Sequence, residues 1–352
     1  MSAESARCDR PLVVRCGAFG DMVLLTAMIR ELHARFRRPV DLVTSGSWSE
    51  PLLAGQPGVG EIFCVRSRKT PYLLSVGQRR VVRGLRRRGI GPTWYCDGTH
   101  AAMAMLVRAG IPRDLIVDVA QHPLLAGEHA TEQWHRLAQI MPEGLETPPP
   151  PGRPLAGGCQ LAVSAAQLLD LKGWLQKRGI GTPLVVVQAG NKRTMRRGPR
   201  RLAVNHKYWP AARWAEVIRH LRGDLPQHAI VLLGTGPEFA LNREIAALAG
   251  VSGVYNAADD LPIARLVALL ARASALIGVD SGPAHAAAAV GCPQVVLFGR
   301  ASPTLYRPRG TAGAEVRLLT GEVNGQPNML GIAAKAVIEA WDGLTLRLPQ
   351  GA

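Results

Sequence analysis

Short apolar runs and helically spaced apolar positions alternate along the first half of the chain. Residues 11–17, PLVVRCG, form an apolar run that ends in glycine, and similar runs follow at 40–46 and 61–65. Between the first two runs, apolar side chains recur at helical spacing, at Met22, Leu25, Met28, Leu32 and Phe36. Strands that alternate with helices predict βαβ units and a parallel sheet.

The same alternation restarts after a stretch rich in proline and glycine, residues 142–158, which predicts an interdomain linker. Further strands are expected in the apolar runs at 183–190, 229–236, 253–257, 275–280 and 293–299. Helices are expected near 160–178, 211–222, 238–249 and 261–273, and in the alanine-rich stretch after Pro283. The predicted domains are therefore 1–150 and 151–352, and a last helix near 329–341 is compatible with packing on either half.

Length and cysteine usage agree with a two-domain globular protein. The chain has 352 residues, long for one core. Its six cysteines form no CxxC pair, which favours free thiols in a reducing compartment. No apolar stretch has the form of a signal peptide or a transmembrane helix, so we expect a cytoplasmic protein or one held at a membrane surface.

The net charge of +16 is concentrated in two segments. Residues 62–96 contain nine Lys or Arg and no acid, and residues 171–215 contain eleven and no acid. Clustered positive charge attracts phosphates, anionic lipid or nucleic acid; the alternative is a solvated basic face. Aromatic residues make up only 5% of the chain and no nucleic-acid-reading motif is present, which disfavours a nucleic-acid partner.

The stretch LIGVDSGPAH, residues 276–285, places a polar turn between a strand and a helix. Ligands of open α/β sheets bind at the carboxyl ends of strands. Backbone N–H groups of Ser281 and Gly282 at a helix N-terminus predict an anion site, and Asp280 is suited to accept hydrogen bonds from ligand hydroxyls. The alternative is ordinary helix capping by Asp280 or Ser281.

GAFGDM, residues 17–22, predicts the same strand, glycine turn and helix in the first half. The glycine spacing is not GxGxxG, and Asp41 lies at the start of its strand, so a nicotinamide site is disfavoured. Asp21 is either a helix cap or a general base at the mouth of a cleft.

Two further residues follow predicted strands of the second half. Lys207 ends the basic loop 191–206 and precedes Tyr208 and Trp209, which should anchor it for neutralising a diphosphate. Glu238, in a glycine turn, is available to a ribose or a base. The histidines at 100, 122, 129 and 135 show no ligand spacing, so no metal site is assigned.

Taken together, these segments resemble glycosyltransferase family 9, the heptosyltransferases of bacterial lipopolysaccharide synthesis. The resemblance covers nearly the whole chain. It is carried by GAFGDMVLLTAMIRELHARF, by NHKYWPAARWAEVI, and most specifically by LPIARLVALLARASALIGVDSGPAHAAAAVGCPQVVLFG. The stretch after LFG, Arg300-Ala301-Ser302-Pro303, departs from the family pattern.

The resemblance implies a GT-B fold, in which two Rossmann-like parallel-sheet domains face each other across a cleft. The N-terminal domain would bind the acceptor and the C-terminal domain the nucleotide-sugar. Asp21 would be the catalytic base. Lys207, Ser281 and Gly282 would bind the diphosphate, Asp280 and His285 would contact the donor, and Glu238 would suit the ribose. The acceptor-side candidates are Gly20, Arg66, Arg68 and Lys69.

The function so implied is metal-independent, inverting transfer of heptose from ADP-heptose to an anionic acceptor, such as the lipopolysaccharide inner core. No cofactor is expected, and the enzyme would be peripheral on the inner face of the bacterial inner membrane. The alternatives are a transferase for another nucleotide-sugar or acceptor, and a sugar-nucleotide epimerase or hydrolase on the same fold.

Overall fold

The computed structural model describes residues 7–67, 70–150, 155, 157–191 and 205–348. The chain forms two compact units that divide between Cys159 and Gln160, at the end of the proline-rich linker. The end of this linker packs on the first unit, because Glu31 accepts the Leu155 N–H at 2.8 Å and Cys159 is fully buried.

The N-terminal unit is a five-stranded parallel sheet with strand order β3-β2-β1-β4-β5. Its strands are β1 (Leu12–Val14), β2 (Val40–Ser45), β3 (Val59–Val65), β4 (Thr93–Tyr95) and β5 (Ile116–Asp118). Its helices are α1 (Phe19–Leu24), α2 (Thr26–Phe36), α3 (Ser49–Leu53), α4 (Val76–Arg88), α5 (His100–Ala109) and α6 (Ala130–Gln139). The three predicted strands are confirmed, whereas β4, β5 and the four helices α3 to α6, including the arginine-rich α4, were not predicted.

The C-terminal unit contains a six-stranded parallel sheet with strand order β11-β10-β9-β6-β7-β8. Its strands are β6 (Leu184–Gln188), β7 (Ala229–Leu232), β8 (Val254–Asn256), β9 (Ala275–Val279), β10 (Gln294–Phe298) and β11 (Val316–Thr320). A small antiparallel hairpin follows, with strands β12 (Glu322–Val323) and β13 (Gln326–Pro327). All residues of β6, β7, β9 and β10 are buried, as expected for parallel strands covered on both faces.

The helices of the C-terminal unit agree with the predicted positions, apart from the short α12, which was not predicted. They are α7 (Ala165–Lys177), α8 (Ala211–Asp224), α9 (Phe239–Ala249), α10 (Ile263–Arg272), α11 (Gly282–Ala289), α12 (Pro303–Tyr306) and α13 (Ala334–Asp342). The last helix, α13, packs on the C-terminal unit, because Val337 and Trp341 lie in the same core cluster as Trp214 of α8. Within the described ranges, no helix is both long and apolar enough to span a bilayer.

Candidate functional site

Each sheet has one point where the strand order reverses, and ligands of such sheets bind there, at the carboxyl ends of the strands. The reversal lies between β1 and β4 in the N-terminal unit and between β6 and β9 in the C-terminal unit. β1 leads into Arg15 and the glycine turn, while β9 leads into Asp280. The topology therefore places both sequence-predicted turns at reversal points.

Asp21 lies in the first turn of α1, beside the glycine turn that follows β1. Its Oδ2 accepts the N–H of Ala18 at 2.8 Å, so the carboxylate does cap the helix. A Cβ on Gly17 would lie 2.5 Å from the Asp21 Cβ, so only glycine allows this close approach. The Asp21 side chain nevertheless remains 38% exposed, which leaves the carboxylate accessible to a second proton donor.

Arg15 and Asp97 surround this turn, and sequence reasoning missed both. Arg15 donates from Nη1 to the Cys96 carbonyl at 2.7 Å, and its Nη2 lies 3.7 Å from Asp21 Oδ1. The Asp97 Oδ2 accepts the N–H of Cys16 at 2.7 Å. The position of Arg15 directly after an apolar run was an available signal. Asp97 follows β4, whose sequence TWY is not an apolar run and so gave no strand end to recognise.

The acceptor-side candidates lie partly within the described residues. Gly20 is the second residue of α1, and Arg66 is exposed directly after β3. Since β3 is two strands from β1, the end of β3, which Arg66 follows, lies about 10 Å along the sheet edge from the end of β1. Arg68 and Lys69 lie outside the described residues.

Lys207 and Asp280 form an ion pair at the carboxyl edge of the C-terminal sheet. Lys207 Nζ donates to Asp280 Oδ2 at 2.5 Å and to the Asp280 carbonyl at 2.9 Å. The two side chains are only 19% and 7% exposed. The sequence predicted a separate ligand contact for each of these two residues, whereas in the structure they bind each other. The ion pair therefore carries no net charge. Two of the three Nζ protons are used in it, and one remains for a ligand.

Buried aromatic packing holds the Lys207 segment in place. Trp209 is fully buried, stacks edge-on against Trp214 with a ring-centroid distance of 4.7 Å, and donates from Nε1 to the Ile332 carbonyl at 2.9 Å. Asn205 Oδ1 accepts the Lys207 N–H at 3.1 Å. The predicted anchoring by aromatics is confirmed, with Trp209 as the anchor.

The N-terminus of α11 lies directly after Asp280. Ser281 occupies the cap position, yet no side-chain hydrogen bond caps this helix. The Asp280 carboxylate is bonded to Lys207, and within the described part of the chain the buried Ser281 Oγ has no hydrogen-bond partner. Helix capping, the alternative role considered for Asp280 and Ser281, is therefore performed by neither side chain. His285 is buried within the same helix, 6% exposed.

Glu238 ends the 3₁₀ turn Gly236–Glu238 after β7 and is only 3% exposed. Its Oε2 accepts hydrogen bonds from the Thr235 N–H and hydroxyl, both at 2.8 Å. Its Oε1 accepts one from Gln188 Nε2 at 3.2 Å. Burial raises the pKa of Glu238 above its usual range. Both oxygens already have protein partners, and the ribose contact stays a prediction.

Asp41, the acidic residue considered in the sequence analysis for a nicotinamide site, has a structural role. It is fully buried near the start of β2, with its Oδ2 at 2.6 Å from Arg88 Nε and 3.2 Å from Arg10 Nε. The start of a strand lies at the edge opposite the Asp21 turn, so this ion pair stabilises the sheet and does not face a ligand at the reversal point.

The histidines and cysteines also have structural surroundings. His129 is the N-cap of α6, and His135 Nδ1 lies 3.0 Å from Glu31 Oε2. In the described ranges, no group of three or more His, Cys, Asp or Glu could hold a metal ion. All six cysteines are free thiols, and burial raises the pKa of Cys96, next to the Asp21 turn, to about 12.

Comparison with known proteins relates the chain to one family of transferases. The family model described as glycosyltransferase family 9 (heptosyltransferase) matches residues 194–325, a segment that includes Lys207, Glu238, Asp280 and His285. Lipopolysaccharide heptosyltransferase 2 of Salmonella typhimurium is 25% identical over 335 residues, which cover 88% of each chain. The protein of the same name from Escherichia coli K12 is 26% identical over 333 residues, again 88% of each chain.

Solved structures share the fold over nearly the whole chain. E. coli ADP-heptose lipopolysaccharide heptosyltransferase II has a TM-score of 0.70 at 22% identity, covering 96% of this chain and 98% of its own. A family 9 glycosyl transferase from Veillonella parvula has a TM-score of 0.76 at 18% identity, covering 95% and 96%. With two parallel-sheet α/β units in the chain, these likenesses confirm the predicted GT-B fold class.

Proposed function

We propose that the chain is a member of glycosyltransferase family 9, the heptosyltransferases, and an inverting enzyme that transfers heptose from ADP-heptose to an anionic acceptor such as the lipopolysaccharide inner core. The observation that carries the proposal is the Lys207–Asp280 pair beside the N-terminus of α11, at the strand-order reversal of the C-terminal sheet. The two relatives named lipopolysaccharide heptosyltransferase 2 supply the sugar and the acceptor class.

The donor diphosphate would bind at this pair. The N-terminal end of α11 carries the positive end of the helix dipole, and the close approach of a phosphate is eased by Gly282. The remaining proton of Lys207 Nζ adds a charge-assisted donor. As the glycosidic bond breaks, negative charge grows on the diphosphate, and these fixed donors stabilise it in the transition state without a metal.

Asp21 would take the proton from the acceptor hydroxyl. Its Oδ2 is bonded to Ala18 N–H, so Oδ1, in the partly exposed side chain, is the oxygen suited to a substrate hydroxyl. Arg15 and Asp97 hold the turn from both sides. A single displacement with one base and no protein nucleophile inverts the anomeric centre.

Calorimetric titration with ADP, UDP and GDP tests the donor site. We expect ADP to bind best, and Lys207→Ala to weaken it about tenfold or more, because a charged hydrogen bond is lost and Asp280 is left unpaired. Lys172→Ala, an exposed lysine of α7, is the matched control and should bind ADP as the unchanged protein does.

Two outcomes would contradict parts of the proposal. A preference for UDP or GDP would keep a transferase and overturn ADP-heptose as donor. ADP binding that Lys207→Ala leaves unchanged would remove Lys207 from the donor site.

A further inference from the structure

Three large apolar side chains stand exposed together at the start of α4. Leu73 is 77% exposed, Leu74 74% and Val76 62%. The 3₁₀ turn Tyr72–Leu74 leads directly into the helix, and Arg79 Nη1 holds it there by donating to the Leu73 carbonyl at 2.8 Å. Neighbouring large apolar side chains exposed to water commonly mark an interaction surface.

The outer face of α4 continues this surface with arginines. Val81, Val82 and Leu85 are buried against the unit, whereas the outward side chains are exposed, at Arg79, Arg80, Arg83, Arg86 and Arg87. Among the residues that the structure describes, no carboxylate pairs with Arg80, Arg83 or Arg87. We refer to Leu73, Leu74, Val76, Arg80, Arg83 and Arg87 as the apolar–basic face.

The apolar end of this face lies at the same sheet edge as Asp21. The chain leaves β3 at the carboxyl edge of the sheet and enters α4 close by, since a Cβ on Gly77 would lie 3.7 Å from the Arg66 backbone nitrogen. Gln78 Nε2 ties the helix start to the same loop by donating to the Ser67 carbonyl at 3.1 Å. A partner bound to the apolar–basic face would therefore lie near the sheet edge that carries Asp21, the candidate base.

We propose that the apolar–basic face docks on the surface of an anionic lipid bilayer. Leucines inserted at the boundary between headgroups and acyl chains would bury their apolar area, while the arginines would contact lipid phosphates. A nucleic acid would satisfy the arginines but offers the leucines little apolar surface. The inference extends the proposed function, because an acceptor carried on lipid is presented at such a surface, but bilayer binding does not require turnover.

Flotation with vesicles tests the inference on the whole chain. Vesicles of phosphatidylglycerol and phosphatidylcholine in equal parts should carry the protein upward, and vesicles of phosphatidylcholine alone should not. The double variant Leu73→Ser, Leu74→Ser should weaken binding about tenfold or more, through loss of inserted apolar groups. Arg80→Glu with Arg83→Glu should abolish it, through repulsion by the anionic surface.

Matched controls come from exposed positions elsewhere. Leu169→Ser on α7, where the leucine is 71% exposed, and Arg243→Glu on α9 should float as the unchanged protein does. The inference is overturned if the leucine pair can be replaced without loss of vesicle binding. Tight, salt-sensitive binding to duplex DNA that the leucine variant leaves intact, without vesicle binding, would overturn it in favour of nucleic acid.

Its failure is distinguishable from failure of the proposed function. The vesicles contain neither donor nor acceptor glycan, so the readout involves no sugar transfer, and Lys207→Ala should float normally. Conversely, ADP titration of the leucine variant should match that of the unchanged protein, because both leucines lie outside the donor-binding unit.

Discussion

Buried acids in this chain differ in what surrounds their carboxylates. Asp41 is bonded to Arg88, and Asp280 to Lys207, so both face a full positive charge. Glu238, in contrast, is bonded to a hydroxyl, a backbone N–H and an amide, all of them neutral. Burial disfavours its charged form, which is why its pKa is raised.

Glu238→Gln should change how stability depends on pH. A raised folded-state pKa stabilises the protein fully below the unfolded-state pKa, and this contribution is lost as pH rises through the folded-state value. Glutamine does not titrate, so urea unfolding should show the free energy of unfolding shifting in favour of the variant as pH rises above the usual glutamate pKa of about 4.3. The exposed Glu244→Gln should show no such shift, and parallel pH curves for Glu238→Gln and the unchanged protein would contradict the interpretation.

The segment that carries Lys207 is positioned by packing against the end of β10. A Cβ on Gly299 would lie 2.1 Å from the His206 carbonyl oxygen, a backbone atom that can yield only if the segment moves. The same carbonyl accepts the N–H of Met329 at 3.4 Å. The position of the Lys207 ammonium therefore depends on the absence of a side chain at residue 299.

Gly299→Ala should weaken ADP binding about tenfold without touching a ligand directly, because the displaced backbone moves a charge-assisted donor away from the diphosphate. Calorimetry on the folded variant measures the effect. Gly173→Ala on α7 is the matched control: its added Cβ meets nothing within 4 Å, and it should stabilise the chain by about 0.5–1 kcal/mol and leave ADP binding unchanged. Equal ADP affinity in both variants would argue against the positioning role.

The chain as a whole divides its candidate chemistry between two units. Lys207, Asp280 and Glu238 belong to the C-terminal unit, whose core includes the buried strands β6, β9 and β10. Asp21, Arg15 and Asp97 belong to the N-terminal unit, which has its own core around β1 and β3. Each unit can thus be altered at its site while the other keeps its local structure.

Asp21→Asn should separate catalysis from donor binding. Turnover of ADP-heptose in the presence of acceptor should fall about 10²- to 10⁴-fold, because the general base is lost. ADP affinity, measured by calorimetry, should stay nearly unchanged, since Asp21 belongs to the N-terminal unit and its proposed partner is the acceptor, not the nucleotide. The exposed Asp9→Asn should retain full turnover. Undiminished turnover by Asp21→Asn would exclude Asp21 as the base.

Sequence pattern predicted the elements whose apolar periodicity is strong. Strands such as β6, with four consecutive apolar residues from Leu184 to Val187, and β9, with the sequence ALIGV, were predicted. β4 (TWY) and β5 (IVD) each include a polar residue at one end, so unlike β1 (LVV) they do not form an uninterrupted apolar run. In α4 the buried positions Val81, Val82 and Leu85 are separated and followed by arginines, so the charge concealed the helical spacing.

The sequence by itself determined that glycine turns follow buried strands at Asp21 and Asp280, because apolar runs and turn residues are local properties of the chain. Only the tertiary structure decided which strand ends are neighbours. The strand order sets β1 beside β4 and β6 beside β9, and the first of these pairings brings Asp97 to Cys16. Lys207 and Asp280 are 73 residues apart, and their pairing depends on how the whole sheet packs.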